Sequence, residues 1–419
     1  MNRRRFVQSL AAGLGASLPF AAPFVFAPRA DAALSDLKVT RIRIFNPTGT
    51  NGLSGWLNQS EIIVAVDTDA GITGFGQGGT RDLLRDAAGV LLGKDPFRTE
   101  YLWQRMYRST FYTPGREKLH AIGALDCALW DIKGKAAELP LYQMLGGRAR
   151  NYVECYSTRG TLTRAAARGE ARKAMADGFR AIRFHGIEAE HGVFDSRAAV
   201  EETAAICAEL REGVGSKGDF ILDAHTRFDL ADAIRLCELL APLRPLFVED
   251  PLRAIDDTQL FGVLRSRVSV PLAAGEQFGD LRDGGLPLIE KALIDYLRAS
   301  IPNVGGITGF QKIAALCDAH SVGMVPHFTA PISTAAVIHG LAAFPGVALN
   351  EVLRSALPPY LHEGVDFRDG KIYPNDRPGL GIVLDESKVN VVDELTEPRS
   401  DGLYNGESYH RPDGSYLYL

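Results

Sequence analysis

Three carboxylates stand at the ends of apolar runs: Asp223 closes Phe220-Ile221-Leu222, Glu249 closes Leu246-Phe247-Val248, and Glu276 closes Pro271-Leu272-Ala273-Ala274-Gly275. Asp223 and Glu249 are 26 residues apart, Glu249 and Glu276 27, which is about the length of one strand, one helix and two loops. This period predicts successive strands of a parallel β/α barrel, each acid at the C-terminal strand end, on the face where such barrels keep their chemistry. Crowded carboxylates repel one another and hold protons unless a cation neutralises them. An all-oxygen set suits a hard divalent ion, Mg²⁺ ahead of Zn²⁺. His225 follows Asp223 by two positions, so an extended strand end would point its ring the same way.

From Tyr152 the chain alternates strand and helix patterns. Strands are predicted at 152–156, 180–184, 219–223, 245–248, 270–273, 295–298, 322–326 and 347–349, with helices such as Thr163–Asp177, Arg197–Arg211, Leu230–Leu240 and Thr308–His320 between them. The period of the acids continues, since Ser300 lies 24 residues past Glu276, His327 27 past Ser300, and Glu351 24 past His327. Eight strands with crossovers argue for a closed barrel rather than an open sheet. Ahead of them, Lys38–Phe45, Glu61–Asp67 and Gly71–Phe75 read as a small antiparallel sheet, and helical spacing of apolar residues runs from about Leu83 to Ala137. The stretch Asn46–Gln59, rich in Gly, Asn, Thr and Ser around an isolated Trp56, has the composition of a lid. Gly74-x-Gly76-x-x-Gly79 matches the dinucleotide-binding fingerprint. It sits on the second arm of a hairpin, however, so its glycines are expected to serve a tight loop.

At 419 residues the chain has room for a barrel and a second domain. Arg3-Arg4-Arg5-Phe6 precedes an apolar stretch, Leu10–Ala27, interrupted by Gly13, Gly15, Pro19 and Pro23, and Ala30-Asp31-Ala32 offers a small-x-small cleavage site. Residues 1–32 therefore resemble a twin-arginine export signal, which predicts a periplasmic mature chain without a membrane anchor. Arg3, Arg4, Arg5 and Arg29 would leave with Asp31, moving the formal charge from −5 to −8, which argues against a nucleic-acid partner. The five cysteines (Cys127, Cys155, Cys207, Cys237, Cys317) are odd in number and never form C-x-x-C. They read as small core residues rather than disulfides or zinc ligands.

Several motifs in order resemble the enolase superfamily, and within it the mandelate racemase group with its acid-sugar dehydratases. These are Ala124-Leu125-Asp126-Cys127-Ala128-Leu129-Trp130-Asp131-Ile132-Lys133-Gly134-Lys135 with Leu145-Gly146-Gly147, Val248-Glu249-Asp250-Pro251, Ala274-Gly275-Glu276, and Val304-Gly305-Gly306-Ile307-Thr308-Gly309. The resemblance spans nearly all of the mature chain and implies an α/β fold. Its parts would be a modified TIM barrel, (β/α)7β, at 149–355, an α+β capping domain at 33–148, and a C-terminal segment at 356–419 packing on the capping domain. It also implies Mg²⁺ held by Asp223, Glu249 and Glu276, a small-molecule carboxylate substrate on that ion, and a symmetric homo-oligomer. A proton beside a carboxylate is weakly acidic because removing it places a second negative charge on the same group; a divalent ion stabilises that charge, and a positioned base then suffices.

His225 is similar to the dehydratase histidine that protonates a departing β-hydroxyl. His327, in Val325-Pro326-His327, stands where racemase-like members carry a catalytic base, but Ser300, itself expected among the substrate-binding residues, replaces the Asp that would pair with it, leaving His327 a weaker base or a substrate-binding group. Where the family often carries Lys-x-Lys this chain has Arg183-Phe184-His185. Arg183 would be a cation near the substrate carboxylate and His185 a base opposite His327. Glu351 matches the glutamate that hydrogen-bonds the substrate carboxylate as a neutral acid, a role that needs a raised pKa. Trp56 would close over the substrate. The expected reaction is Mg²⁺-dependent dehydration of a sugar acid, an aldonate or aldarate, to a 2-keto-3-deoxy acid. Racemisation or epimerisation between His185 and His327 is an alternative, and metal-dependent ligand binding without turnover is a second.

Overall fold

The computed structural model describes residues 37–48, 60–108, 115–187, 192–253, 257–279, 285–353, 356–398 and 410–415. Residues 1–32, expected from the sequence to be an export signal, lie outside them, as do Trp56 and residues 49–59 of the expected lid Asn46–Gln59. Strands β1 (Val39–Pro47), β2 (Ile63–Thr68) and β3 (Thr73–Gln77) form the antiparallel sheet read from the sequence. Against it packs the helix Arg116–Ala136, buried without a break from Lys118 to Ile132. Gly74 and Gly76 are explained by this contact, whereas Gly79, with a left-handed φ of 74°, serves the loop after β3 as expected. A Cβ on Gly74 would stand 2.0 Å from the Ala128 carbonyl oxygen, and one on Gly76 1.8 Å from that of Ala124. Strand and helix thus touch backbone to backbone, which only glycine allows.

Eight parallel strands follow: β4 (Val153–Thr161), β5 (Ala181–His185), β6 (Asp219–Asp223), β7 (Phe247–Glu249), β8 (Leu272–Ala274), β9 (Tyr296–Leu297), β10 (Gly323–Met324) and β11 (Leu349–Val352). Each pairs with the next from β4 to β10. β11 pairs with β4, and a parallel bridge between Met324 and Ala348 closes the ring. Helices Arg164–Ala176, Ser196–Val214, Leu230–Leu240, Thr258–Arg267, Leu286–Glu290, Ile307–Ala319 and Pro331–Ala343 make the crossovers. Several start on side-chain caps that satisfy otherwise orphaned backbone donors: Thr163 accepts from the Ala166 N–H, Asp195 from that of Ala198, and Asp257 from those of Gln259 and Leu260. All five cysteines are buried free thiols.

The tail divides. β12 (Leu361–Glu363) pairs with β15 (Val383–Leu384), and β16 (Val389–Leu395) joins the capping sheet antiparallel to β1. The hairpin of β13 (Asp366–Arg368) and β14 (Lys371–Tyr373), however, joins β4 of the barrel through β14, whereas the whole segment 356–419 is expected from the sequence to pack on the capping domain. β5 meets β4 only from Tyr156 onward, so the first residues of β4 still have backbone groups to satisfy, and Lys371 and Ile372 pair with them at Glu154 and Val153. Cap and barrel are fastened by polar side chains. Gln77 accepts from the Ile332 N–H at 2.9 Å and donates to the Tyr360 hydroxyl at 3.1 Å. Asp131 ties the capping helix to its own sheet and to the tail, accepting from the Phe75 and Leu380 N–H groups at 3.0 and 2.8 Å. Among the described residues no helix is long and apolar enough to cross a membrane.

Candidate active site

The barrel interior is built in two layers by strand alternation. Ala181, Ile221, Phe247, Ala273, Tyr296, Val325 and Leu349 pack with Tyr156 as an apolar plug. Two residues further toward the C-terminal ends, the same inward face carries Arg183, Asp223, Glu249, Gly275, Arg298, His327 and Glu351. An apolar floor thus supports a charged ring. Gly275 is the gap in that ring, and its φ of 138° turns the chain so that Glu276 supplies the carboxylate instead. A side chain there would also meet the Ala299 nitrogen at 2.8 Å.

Two guanidinium groups hold the ring together. Arg183 donates to Asp223 Oδ2 at 2.7 Å, to Glu249 Oε2 at 2.8 Å and Oε1 at 3.0 Å, and lies 3.2 Å from Glu351 Oε1. Arg298 donates to Glu249 Oε1 and Glu351 Oε2, each at 2.7 Å, to the Val325 carbonyl at 2.8 Å and to the Tyr156 hydroxyl. Both arginines are buried and spend their donors on these acids, and Arg183 is the residue expected from the resemblance to be a cation near the substrate carboxylate. Glu351 also differs from expectation. Burial would raise its pKa, but Arg183 and Arg298 outweigh burial and hold it well below the usual carboxylate range. It is an ionised acceptor bonded by Thr158 at 2.7 Å, not a neutral acid. Glu249 behaves alike, pulled down to about 2 by the two arginines against the effect of burial.

The three candidate histidines gather at this mouth. His327 bonds the Phe328 carbonyl through Nδ1 at 2.7 Å, which makes Nδ1 the protonated nitrogen and leaves Nε2 with the lone pair. That Nε2 is 3.6 Å from Glu276 Oε2, while His225 Nε2 is 4.0 Å from Glu276 Oε1, so the two rings address opposite oxygens of one carboxylate. Burial lowers the pKa of His327 to about 4, keeping it neutral. His225 reaches the site by a route other than strand alternation, because its φ of 50° is left-handed, and its ring stacks on His185 with centroids 5.2 Å apart. His185 Nε2 takes the Arg183 guanidinium at 3.1 Å and lies 3.5 Å from Asp223. Burial and Arg183 press its pKa down to about 4, and its lone pair is occupied.

Ser300 does not serve as a substitute for the missing Asp. It has no exposed surface, and both its N–H and its hydroxyl bond Asn303 Oδ1, whose own amide donates to the Glu276 carbonyl at 2.7 Å. Ser300 thus steadies the Glu276 turn and leaves the substrate-contact set, and the Phe328 carbonyl orients His327 instead. Arg298 is the main residue that the sequence reading missed. Its signal was present, two positions before Ser300 and on the inward face that Tyr296 begins.

The Enolase C-terminal domain-like family matches residues 166–388, and the Mandelate racemase / muconate lactonizing enzyme N-terminal domain matches 47–146. The chain belongs to the enolase superfamily. It is similar to the D-galactonate dehydratase of Pectobacterium atrosepticum, 34% identical over 356 residues, covering 78% of this chain and 90% of that protein. It also resembles the crystal structure of an enolase from Pantoea ananatis with bound d-gluconate and Mg, at 27% identity and TM-score 0.75, covering 84% of this chain and 93% of that one. An enolase from Agrobacterium radiobacter with bound Na and L-malate matches at 30% identity and TM-score 0.75, covering 91% and 100% of the two chains.

Mg²⁺ is the ion of the enolase superfamily, and the donor set here fits it. Oxygens of Glu249, Asp250 and Glu276 lie within 4.8 Å of one another. Burial and then neighbouring carboxylates raise Asp250 and Glu276 well above the usual range, and burial lifts Asp223 to about 7 against the pull of Arg183. Ionised, the five acids Asp223, Glu249, Asp250, Glu276 and Glu351 face two arginines, a surplus of three negative charges. A divalent ion among hard oxygens removes most of that surplus.

Proposed function

We propose that this chain is a Mg²⁺-dependent hydro-lyase that dehydrates a sugar acid to a 2-keto-3-deoxy acid. The observation that carries the reading is the placement of His225 and His327 on the two oxygens of Glu276, two proton-transfer groups set about one carboxylate of the cation site. Its similarity to D-galactonate dehydratases supports an aldonate as the substrate class. Asp223, Glu249 and Glu276 would hold the ion, whose charge would offset the second negative charge that forms on a substrate carboxylate as its α-proton leaves. His327 is neutral with Nε2 unprotonated, so it takes the α-proton. His225, half-exposed at the mouth, gives a proton to the β-hydroxyl, which departs as water. The remaining enol gains a proton at the β-carbon and gives up its hydroxyl proton, becoming the 2-keto acid. His185 stacks beneath His225 and bonds Arg183, so it acts as a support and not as a second base.

The test is to assay the protein with Mg²⁺ against a panel of aldonates and aldarates, reading 2-keto acid formation. Product from at least one is expected, and none from any would sink the reading. In heavy water, His225→Asn is expected to keep exchange at the α-carbon while losing elimination. His327→Asn is expected to lose both by about 10²- to 10⁴-fold. Exchange with no elimination in the unaltered chain would select the epimerase reading instead.

A further inference from the structure

Asp250 follows Glu249 directly, so strand alternation would turn its side chain away from the barrel interior. Its backbone instead adopts φ 43°, a left-handed conformation that L-residues seldom take and that recurs at functional sites. That turn brings its carboxylate back beside those of Glu249 and Glu276, within 4.8 Å of both. The residue has no exposed surface, and neither of its carboxylate oxygens has a hydrogen-bond donor. It does not hold its own turn, because the Thr226 N–H goes to the Asp250 main-chain oxygen. Nor do the arginines serve it. Arg183 is spent on Asp223, Glu249, Glu351 and His185, and Arg298 on Glu249, Glu351, Tyr156 and Val325. A fully buried carboxyl without donors stays ionised only where a cation is its partner, and otherwise takes up a proton.

We propose that Asp250 is a fourth carboxylate of the cation site, added to Asp223, Glu249 and Glu276. The inference rests on the Mg²⁺-dependent reading above and extends its ligand set. Asp223 shares one oxygen and Glu249 both oxygens with guanidinium groups, which weakens them as donors to an ion. Asp250 supplies an undivided anionic donor on the side of Glu276, where the guanidinium contacts are fewest.

The test is Mn²⁺ binding to the full chain after chelation, followed by the paramagnetic resonance signal of the free ion. Asp250→Asn is expected to weaken binding about 10- to 100-fold, with an unchanged far-ultraviolet circular dichroism spectrum. An anomalous difference map from Mn²⁺-soaked crystals of the unaltered chain needs no variant, and should place manganese at bonding distance from an Asp250 oxygen. Wild-type affinity in the Asn variant, or an ion whose coordination excludes Asp250, overturns the assignment and leaves the dehydratase reading standing. Absence of Mn²⁺ binding by the unaltered chain overturns both.

Discussion

Asp126 and Asp250 are both aspartates without exposed surface, and both lie in stretches that mark the family. Asp126, on the capping helix, accepts the Thr308 N–H at 2.9 Å and the Thr308 hydroxyl at 2.7 Å, and the Trp130 indole in turn donates to that hydroxyl at 2.9 Å. The Asp250 carboxylate accepts nothing. The first acid fastens two parts of one fold, and every partner it needs is in the chain. The second is placed at the cost of a left-handed backbone beside two more carboxylates, and its partner is not a residue. Residue type and burial do not separate the structural acid from the one that awaits an ion; the inventory of donors does.

The contrast can be pressed hardest at the ring that borders Asp250. Arg298→Ala leaves Glu249 and Glu351 buried with half their compensation, so it should cost about 3–5 kcal/mol in urea unfolding; a loss under about 1 kcal/mol would show that the ring tolerates its own charge. At the structural acid the effect should be smaller. Thr308→Val strips Asp126 of one donor and Trp130 of its acceptor, for about 1–3 kcal/mol, visible as a lower Tm with near-normal turnover. An equal loss of activity would mean that the fastening reaches the mouth.

Asp126 also has a pH signature. Burial lifts its pKa to about 7, so the native chain keeps a proton that the unfolded chain releases near its ordinary value. The stabilisation is therefore complete in acid below that value and is lost as pH climbs toward 7. Asp126→Asn should flatten this part of the Tm profile relative to the unaltered chain, and superimposable profiles would refute the shift. The smallest effect belongs to Arg253→Ala. Its pair with Asp229 lies in solvent, the two side chains 71% and 70% exposed, and should be worth under about 0.5 kcal/mol.

Much of this was legible in the primary structure. The acids Asp223, Glu249 and Glu276 announced strand ends because a parallel barrel repeats one strand and one helix at nearly constant length, and all eight barrel strands lie where that period put them. The C-terminal hairpin was not legible, since short strands carry little periodicity and its pairing with β4 depends on which backbone groups the neighbouring strands leave over. Arg298 was overlooked for a different reason. In sequence it is one more arginine, and only the ring shows that it neutralises Glu249 and Glu351. The charge state of Glu351 reversed for the same cause. The expected role needed a raised pKa, but two buried guanidinium groups bind the carboxylate and lower it.

The pairing of β1 with β16, Ile42 opposite Leu395, joins the first described strand to nearly the last. During synthesis β1 emerges early and keeps one open edge until almost the entire chain has left the ribosome, an unpaired edge being a template for wrong partners. The barrel can therefore be complete before its cover is. Because the two ends of the folded body lie side by side, a circularly permuted chain that begins in an exposed barrel crossover and links residue 395 to residue 39 would synthesise the four cap strands consecutively. Such a chain should acquire its cover in a single folding event.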